Sequence, residues 1–208
     1  ADSGFPVCYG EKGIVEGRFV AKQELGSDIL ELNGGVAGNI IPDRAVAILA
    51  RSEQLMAALK VRLEETGTDR ICISEDGATV TVTAFGTSKH SAFPEGSINA
   101  IHVLTSFLKG VSSLSRTDQE LFACLADATR EYYGEAVKIA FEDEVSGKTT
   151  CAGTILGIEN RCCCLTLNIR YAITADSKEI SHRLRTYAEK NGMLWDQERD
   201  SGPNYFPK

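Results

Sequence analysis

The chain lacks any apolar run of the roughly 18 residues that a membrane helix needs. Its N-terminus lacks the basic, apolar and small-residue order of a secretory signal. It also lacks an excess of positive charge: 22 Lys and Arg stand against 29 Asp and Glu, a formal net charge of −7, with no basic stripe. Phosphate contacts dominate affinity for nucleic acid, so this balance argues against such a partner. No Cys-x-x-Cys pair occurs, which removes the usual spacing of a structural zinc site. The patterns His-Glu-x-x-His, Gly-x-Ser-x-Gly and Gly-x-x-x-x-Gly-Lys-Ser/Thr are absent as well, so no complete catalytic set is present. A soluble, acidic, cytoplasmic protein is the expectation, with neither nucleic acid nor membrane as partner.

What is there suffices for a core. The 208 residues are 43% hydrophobic and 25% charged, which fits one large domain or two small ones rather than a disordered chain. The seven cysteines are odd in number and read as free thiols in a reducing compartment. The chain starts at Ala1 without Met and stops on the extended stretch Pro203-Asn204-Tyr205-Phe206-Pro207-Lys208, so both ends read as cut.

Residues 1–17 read as an arm. Phe19 to Leu25 and Ile29 to Leu32 alternate around Gly26-Ser27-Asp28, a hairpin signal. A glycine-rich loop, Asn33-Gly34-Gly35-Val36-Ala37-Gly38-Asn39, leads through Pro42-Asp43 to a strand at Ala45 to Ala50. Ser52 caps a helix carrying Leu55, Leu59 and Leu63 that Gly67 stops. Strands follow at Arg70 to Ser74 and Thr79 to Phe85, joined through Asp76-Gly77. Ser97 reads as the cap of a second helix. Thr117-x-x-Glu120 reads as a capping box for a third helix that reaches Tyr132. Strands at Val137 to Phe141, Thr149 to Leu156 and Arg161 to Ala172 come next. A helix opened by Asp176-x-x-Glu179 and ended by Gly192 leads to a last strand at Met193 to Glu198. The expected fold class is α+β, with two ferredoxin-like modules, each an antiparallel sheet with helices on one face, forming a pseudo-duplicated domain.

Few groups suit chemistry. Cys162, Cys163 and Cys164 alternate faces on a strand and cannot close a metal site alone, so they read as small core residues. His102 and His182 fall in helices with no ligand partner at metal spacing. The Gly34-Gly35-x-x-Gly38 loop has no Lys and leads to a strand, so it presents Asn39 rather than a phosphate cradle. His90 sits in a loop between a strand and a helix, where either a binding group or a surface histidine fits.

The stretch from Gly86 to Ala100 reads Gly-x-x-x-His-x-x-x-Pro-x-Gly-x-x-Asn-Ala before an apolar helix. It resembles the lid, or dimerisation, domain of the co-catalytic zinc metallopeptidases, a superfamily that includes carnosinases, desuccinylases and aminoacylases. Gly38-Asn39-Ile40-Ile41-Pro42-Asp43-Arg44-Ala45 and Asn168-Ile169-Arg170-Tyr171 resemble two further stretches of it. Asp2-Ser3-Gly4-Phe5-Pro6, Gly10-Glu11-Lys12-Gly13 and Pro203-Asn204-Tyr205-Phe206-Pro207 are similar to the dipeptidase V type, an Xaa-His dipeptidase.

The resemblance implies a substrate-binding lid that is inactive alone. His90 would stabilise the tetrahedral intermediate, Asn39 and Arg170 would hold the substrate's C-terminal carboxylate, and Asp2 would be a partial zinc ligand. The other ligands of two zinc ions would lie outside the chain. The implied layout is a boundary arm at 1–18, a first lid module at 19–134, a second at 135–200, and a return to the catalytic domain at 201–208. The implied partners are a dipeptide substrate and the parent's own catalytic domain, in a monomeric parent. Two alternatives stand beside this: a non-catalytic interaction module, and the lid of an N-acyl amino acid deacylase or desuccinylase.

Overall fold

Residues 13–21 alternate in burial: Gly13, Val15, Gly17, Phe19 and Ala21 are buried, and the residues between them are part-exposed. A period of two makes a strand with one face on a core. Residues 162–171 place Cys163, Leu165, Leu167, Ile169 and Tyr171 in the same core as Val15 and Phe19, while Cys164 and Asn168 are buried on the opposite face. The computed structural model describes residues 10–206. Their order is β1 (Gly10–Glu11), β2 (Gly13–Ala21), β3 (Ile29–Gly34), β4 (Ile40–Ile41), β5 (Arg44–Ala50), α1 (Glu53–Thr66), β6 (Ile71–Asp76), β7 (Thr79–Phe85), β8 (Lys89–His90), α2 (Ala100–Leu108), α3 (Arg116–Ala128), β9 (Glu142–Asp143), β10 (Gly147–Lys148), β11 (Thr150–Glu159), β12 (Cys162–Tyr171), α4 (Ser177–Lys190), β13 (Met193–Ser201) and β14 (Asn204–Tyr205).

The class is α+β. Eight strands form one antiparallel sheet in the order β13-β2-β12-β11-β3-β5-β7-β6. The helices supply Leu55, Leu59, Leu104, Phe107, Phe122 and Leu184 to a core shared with the inward strand residues. β11 and β3 meet through the registered pair Leu156 and Gly34, which joins the two four-strand halves. The hairpin expected between Phe19 and Leu32 does not form. β2 pairs with β12 and β13, while β3 pairs with β5 and β11. The alternation was real, but each strand finds its partner far along the chain. The expected arm is also shorter, because residues 13–18 belong to β2.

Local signals fixed some ends and misplaced others. Ser52 caps α1, accepting from the Leu55 amide at 3.1 Å, and Gly67 closes it in the left-handed region. Asp176 caps α4. The cap of α2 is Asn99 rather than Ser97, because the Ser97 hydroxyl donates to the Pro94 carbonyl instead. The cap of α3 is Ser115 rather than Thr117, and the helix ends before Tyr132. Residues 137–141 form no strand. A turn there brings the Ile139 amide to the Gly134 carbonyl at 2.8 Å.

The turn between β9 and β10 is organised by Asp143. Burial raises its pKa, but amide and hydroxyl donors from Ser146 and Thr174 outweigh that and hold the carboxyl well below the usual aspartate range. A depressed carboxyl stabilises the fold above its unfolded pKa, and that contribution is lost as pH falls through the folded value. Asp143→Ala is expected to cost about 1–2 kcal/mol at pH 7, a value discounted for partial exposure. Urea midpoints of wild type and variant should draw together as pH falls below about 4. A gap independent of pH would assign the effect to packing.

Candidate functional site

Two sequence-distant loops are stitched into one structure. β4 pairs antiparallel with β8, setting Ile40 opposite His90 and Ile41 opposite Lys89. The Ser91 amide donates to the Asn39 carbonyl at 2.9 Å. Pro42 and Asp43 clamp both ends of the His90 loop: the Asp43 carbonyl accepts from the Gly86 amide at 2.7 Å, and the Pro42 carbonyl from the Ala100 amide at 2.9 Å. Thr87 and Ile98 close the loop with two backbone bonds of 2.8 and 3.0 Å. Gly86 is required because a Cβ there would overlap the Ile98 carbonyl oxygen. Asn99 anchors the far end, donating to the Gly153 carbonyl at 2.8 Å while its oxygen caps α2. The resemblance motifs thus have a direct physical reason: their Gly, Pro and Asn positions shape one loop that holds His90.

His90 is half-buried. Its Nδ1 accepts the Ala92 amide at 3.1 Å, so in the neutral ring the proton sits on Nε2. That nitrogen faces the Asn39 side-chain amide at 3.5 Å. Asn39 is exposed. The pair therefore presents an N–H donor and an amide, side by side, at the protein surface.

The second part of the site comes from β12. Asn168 and Arg170 are two apart and share the face away from the core. Asn168 is fully buried, and its Oδ1 accepts the Ser91 hydroxyl at 2.8 Å and Arg170 Nε at 3.3 Å. Its Nδ2 donates to Glu16 Oε1, and Glu16 Oε2 pairs with Arg199 at 3.5 Å. Cross-strand register places Glu16 opposite both Asn168 and Arg199. Asn39, His90 and Arg170 are thereby gathered through Ser91 and Asn168. Sequence reading missed Glu16, Ser91 and Asn168. The period-two pattern over 161–172 puts Asn168 on the Arg170 face but does not mark it as part of the site. Nothing in the sequence marks Ser91.

Asp2, Phe5 and Pro6 lie outside the described residues. Among the described residues no group of three or more His, Cys, Asp or Glu could hold a metal ion, so zinc does not fit here and no chemical step is assigned to it. His102 is half-buried between α2 and α3 with Nδ1 against the Ala126 carbonyl at 2.9 Å, and burial lowers its pKa. Cys163 points into the core, and all six described cysteines are free thiols. A groove of about 720 Å³ runs between α3 and α4, past Cys124, Asp127, His182, Arg183 and Tyr187. Four of its charged groups pair with one another, Arg183 with Glu179 at 2.7 Å and Arg130 with Asp127 at 3.2 Å. The His90 face sets His90 beside Asn39 and is tied to Arg170 through Ser91 and Asn168, and it is the stronger candidate.

No family model matches the chain. It is 27% identical over 197 residues to the Bacillus subtilis (strain 168) protein named "Putative dipeptidase YtjP", covering 90% of this chain and 42% of the relative. A solved structure, the aminoacylhistidine dipeptidase from Vibrio alginolyticus, aligns over 96% of this chain and 46% of that one, with 11% identity and a TM-score of 0.41. The chain therefore spans less than half the length of the relatives it matches. The resemblance to dipeptidases, first carried by the motifs around Asn39, His90 and Arg170, extends to a curated relative over nine-tenths of the chain.

Proposed function

We propose that this chain is the substrate-capping lid of a zinc-dependent dipeptidase, and that it turns over no dipeptide alone. The observation that carries the reading is the hydrogen-bonded link from the His90 loop through Ser91 and Asn168 to Arg170. That link joins motifs far apart in sequence that carry three groups suited to a peptide's C-terminal half. The His90 Nε2–H donates to the scissile carbonyl oxygen and strengthens as that oxygen gains charge. Arg170 and Asn39 hold the terminal carboxylate, Arg170 through charge-assisted donors and Asn39 through its amide. Asp2 would sit at the boundary with a catalytic domain that carries the metal ligands.

The strand order supports a doubled architecture. β2-α3-β11-β12-α4-β13 reads as one ferredoxin-like unit, with its sheet in the order β13-β2-β12-β11. β3, β5, β6 and β7 with α1 and α2 form a second unit inserted between β2 and α3. The two units share an edge at β11 and β3, which favours a monomeric parent because neither edge is left for a second copy there. Free thiols fit a cytoplasmic setting.

The test is Arg170→Ala in the full-length protein. The KM for dipeptides with a free C-terminus should rise about 10- to 100-fold, the worth of a charge-assisted pair. The matching C-terminal amides should respond far less. Equal losses on both substrates would remove Arg170 from carboxylate binding. No dipeptide turnover by the full-length wild type would end the reading.

A further inference from the structure

We infer that Asn168 is a positioning residue that sets His90 against Arg170, an inference that rests on the dipeptidase reading above for its effect on turnover. Asn168 touches both halves of the site. Its oxygen takes the Ser91 hydroxyl at 2.8 Å and Arg170 Nε at 3.3 Å, and it is fully buried. Its orientation is fixed by chemistry. Two donors face the oxygen, one of them a guanidinium that cannot accept, and the Glu16 carboxylate, which cannot donate, faces the nitrogen. A flipped amide would set donor against donor at Arg170 and acceptor against acceptor at Glu16. Glu16 is itself anchored by Arg199 at 3.5 Å, and its Oε1 lies 3.6 Å from where a Cβ on Gly38 would stand, beneath the loop that presents Asn39.

The consequence is geometric. The His90 loop belongs to one half of the sheet and Arg170 to the other, and the halves are registered through a single β11–β3 pair. Ser91 is adjacent to His90, so the bond to Asn168 transfers the position of β12 directly to the imidazole. Loss of that bond lets His90 shift relative to a carboxylate held by Arg170. A displacement of about 1 Å is enough to cost on the order of 100-fold in rate.

The test is a double-mutant cycle in the full-length protein, with backbone hydrogen exchange as a second readout. Asn168→Ala should lower kcat by roughly 100-fold in the wild-type background. It should lower kcat by less than about threefold when His90→Ala is already present, because both changes remove one function. Exchange at the Ser91 and Ala92 amides should rise at least about tenfold, with α2 and α4 unaffected. Ser91→Ala removes a single donor and keeps the strand intact. It should reproduce the exchange change and the non-additivity with a smaller loss, about tenfold, should Asn168→Ala fold poorly. Equal losses in both backgrounds, or unchanged exchange at Ser91 and Ala92, would overturn the positioning role. A His90→Ala variant with full turnover would instead sink the oxyanion role while the exchange result still judged Asn168.

Discussion

His90→Ala should lower kcat of the full-length protein by about 10²–10³, or about 2.7–4 kcal/mol of transition-state stabilisation, as for other oxyanion donors. The thermal midpoint should move little. The loop around His90 is held by backbone bonds from Gly86, Ser91, Ile98 and Ala100, and none of them uses the imidazole. The ring contributes its bond from the Ala92 amide and its contact with Asn39, so its removal leaves the scaffold standing. Because Nδ1 is occupied by that amide, the donor available to substrate is Nε2–H, and the effect should fall on kcat more than on KM. His90→Gln keeps an N–H donor and should recover part of the loss. A histidine that merely sits on the surface would give unchanged kcat in both variants.

Much of this arrangement was legible before the structure. β-rich runs located β5, β7 and β12 to within a residue and β11 to within three, because one-faced burial leaves that pattern whatever the partner strand. Pairing was not legible. The Phe19 to Leu25 and Ile29 to Leu32 segments carry the right alternation for a hairpin, but partner choice is decided by the whole sheet, where β2 fills the gap between β12 and β13. Helix caps failed where two candidates lay close together, as with Ser97 and Asn99. The winner there is set by tertiary partners such as Gly153, which sequence does not show. The site divides in the same way. Asn39, His90 and Arg170 stand out by residue type and motif. Glu16, Ser91 and Asn168 do not, since their importance lies in contacts between residues 77 to 152 positions apart.

The same logic makes Gly35→Ala the substitution with the largest expected cost in stability. Gly35 and Gly67 both have positive φ, +80° and +56°, so alanine at either pays for a left-handed backbone, roughly 1–2 kcal/mol. They differ in space. A Cβ at Gly67 meets nothing within 4 Å, whereas at Gly35 it would fall on the carbonyl oxygen of Thr154. That neighbour is backbone of β11, at the bulge between Gly153 and Ile155, and it cannot swing aside as a side chain would. Overpacking adds about 1–3 kcal/mol, so Gly35→Ala should cost about 2–5 kcal/mol in total. For a domain of this size that is a fall of about 4–20 °C in Tm, against about 2–8 °C for Gly67→Ala, with the Gly35 shift the larger of the two. The added bulk would also push the loop that carries Asn39 and β4 away from β11. Turnover of the folded fraction should therefore fall for Gly35→Ala and hold for Gly67→Ala. Equal thermal shifts in the two variants would mean that the glycine-rich loop does not pack on β11 as described. A rigid, close-packed loop at this seam is also what the His90 site requires, since β4 pairs with the strand that holds the imidazole.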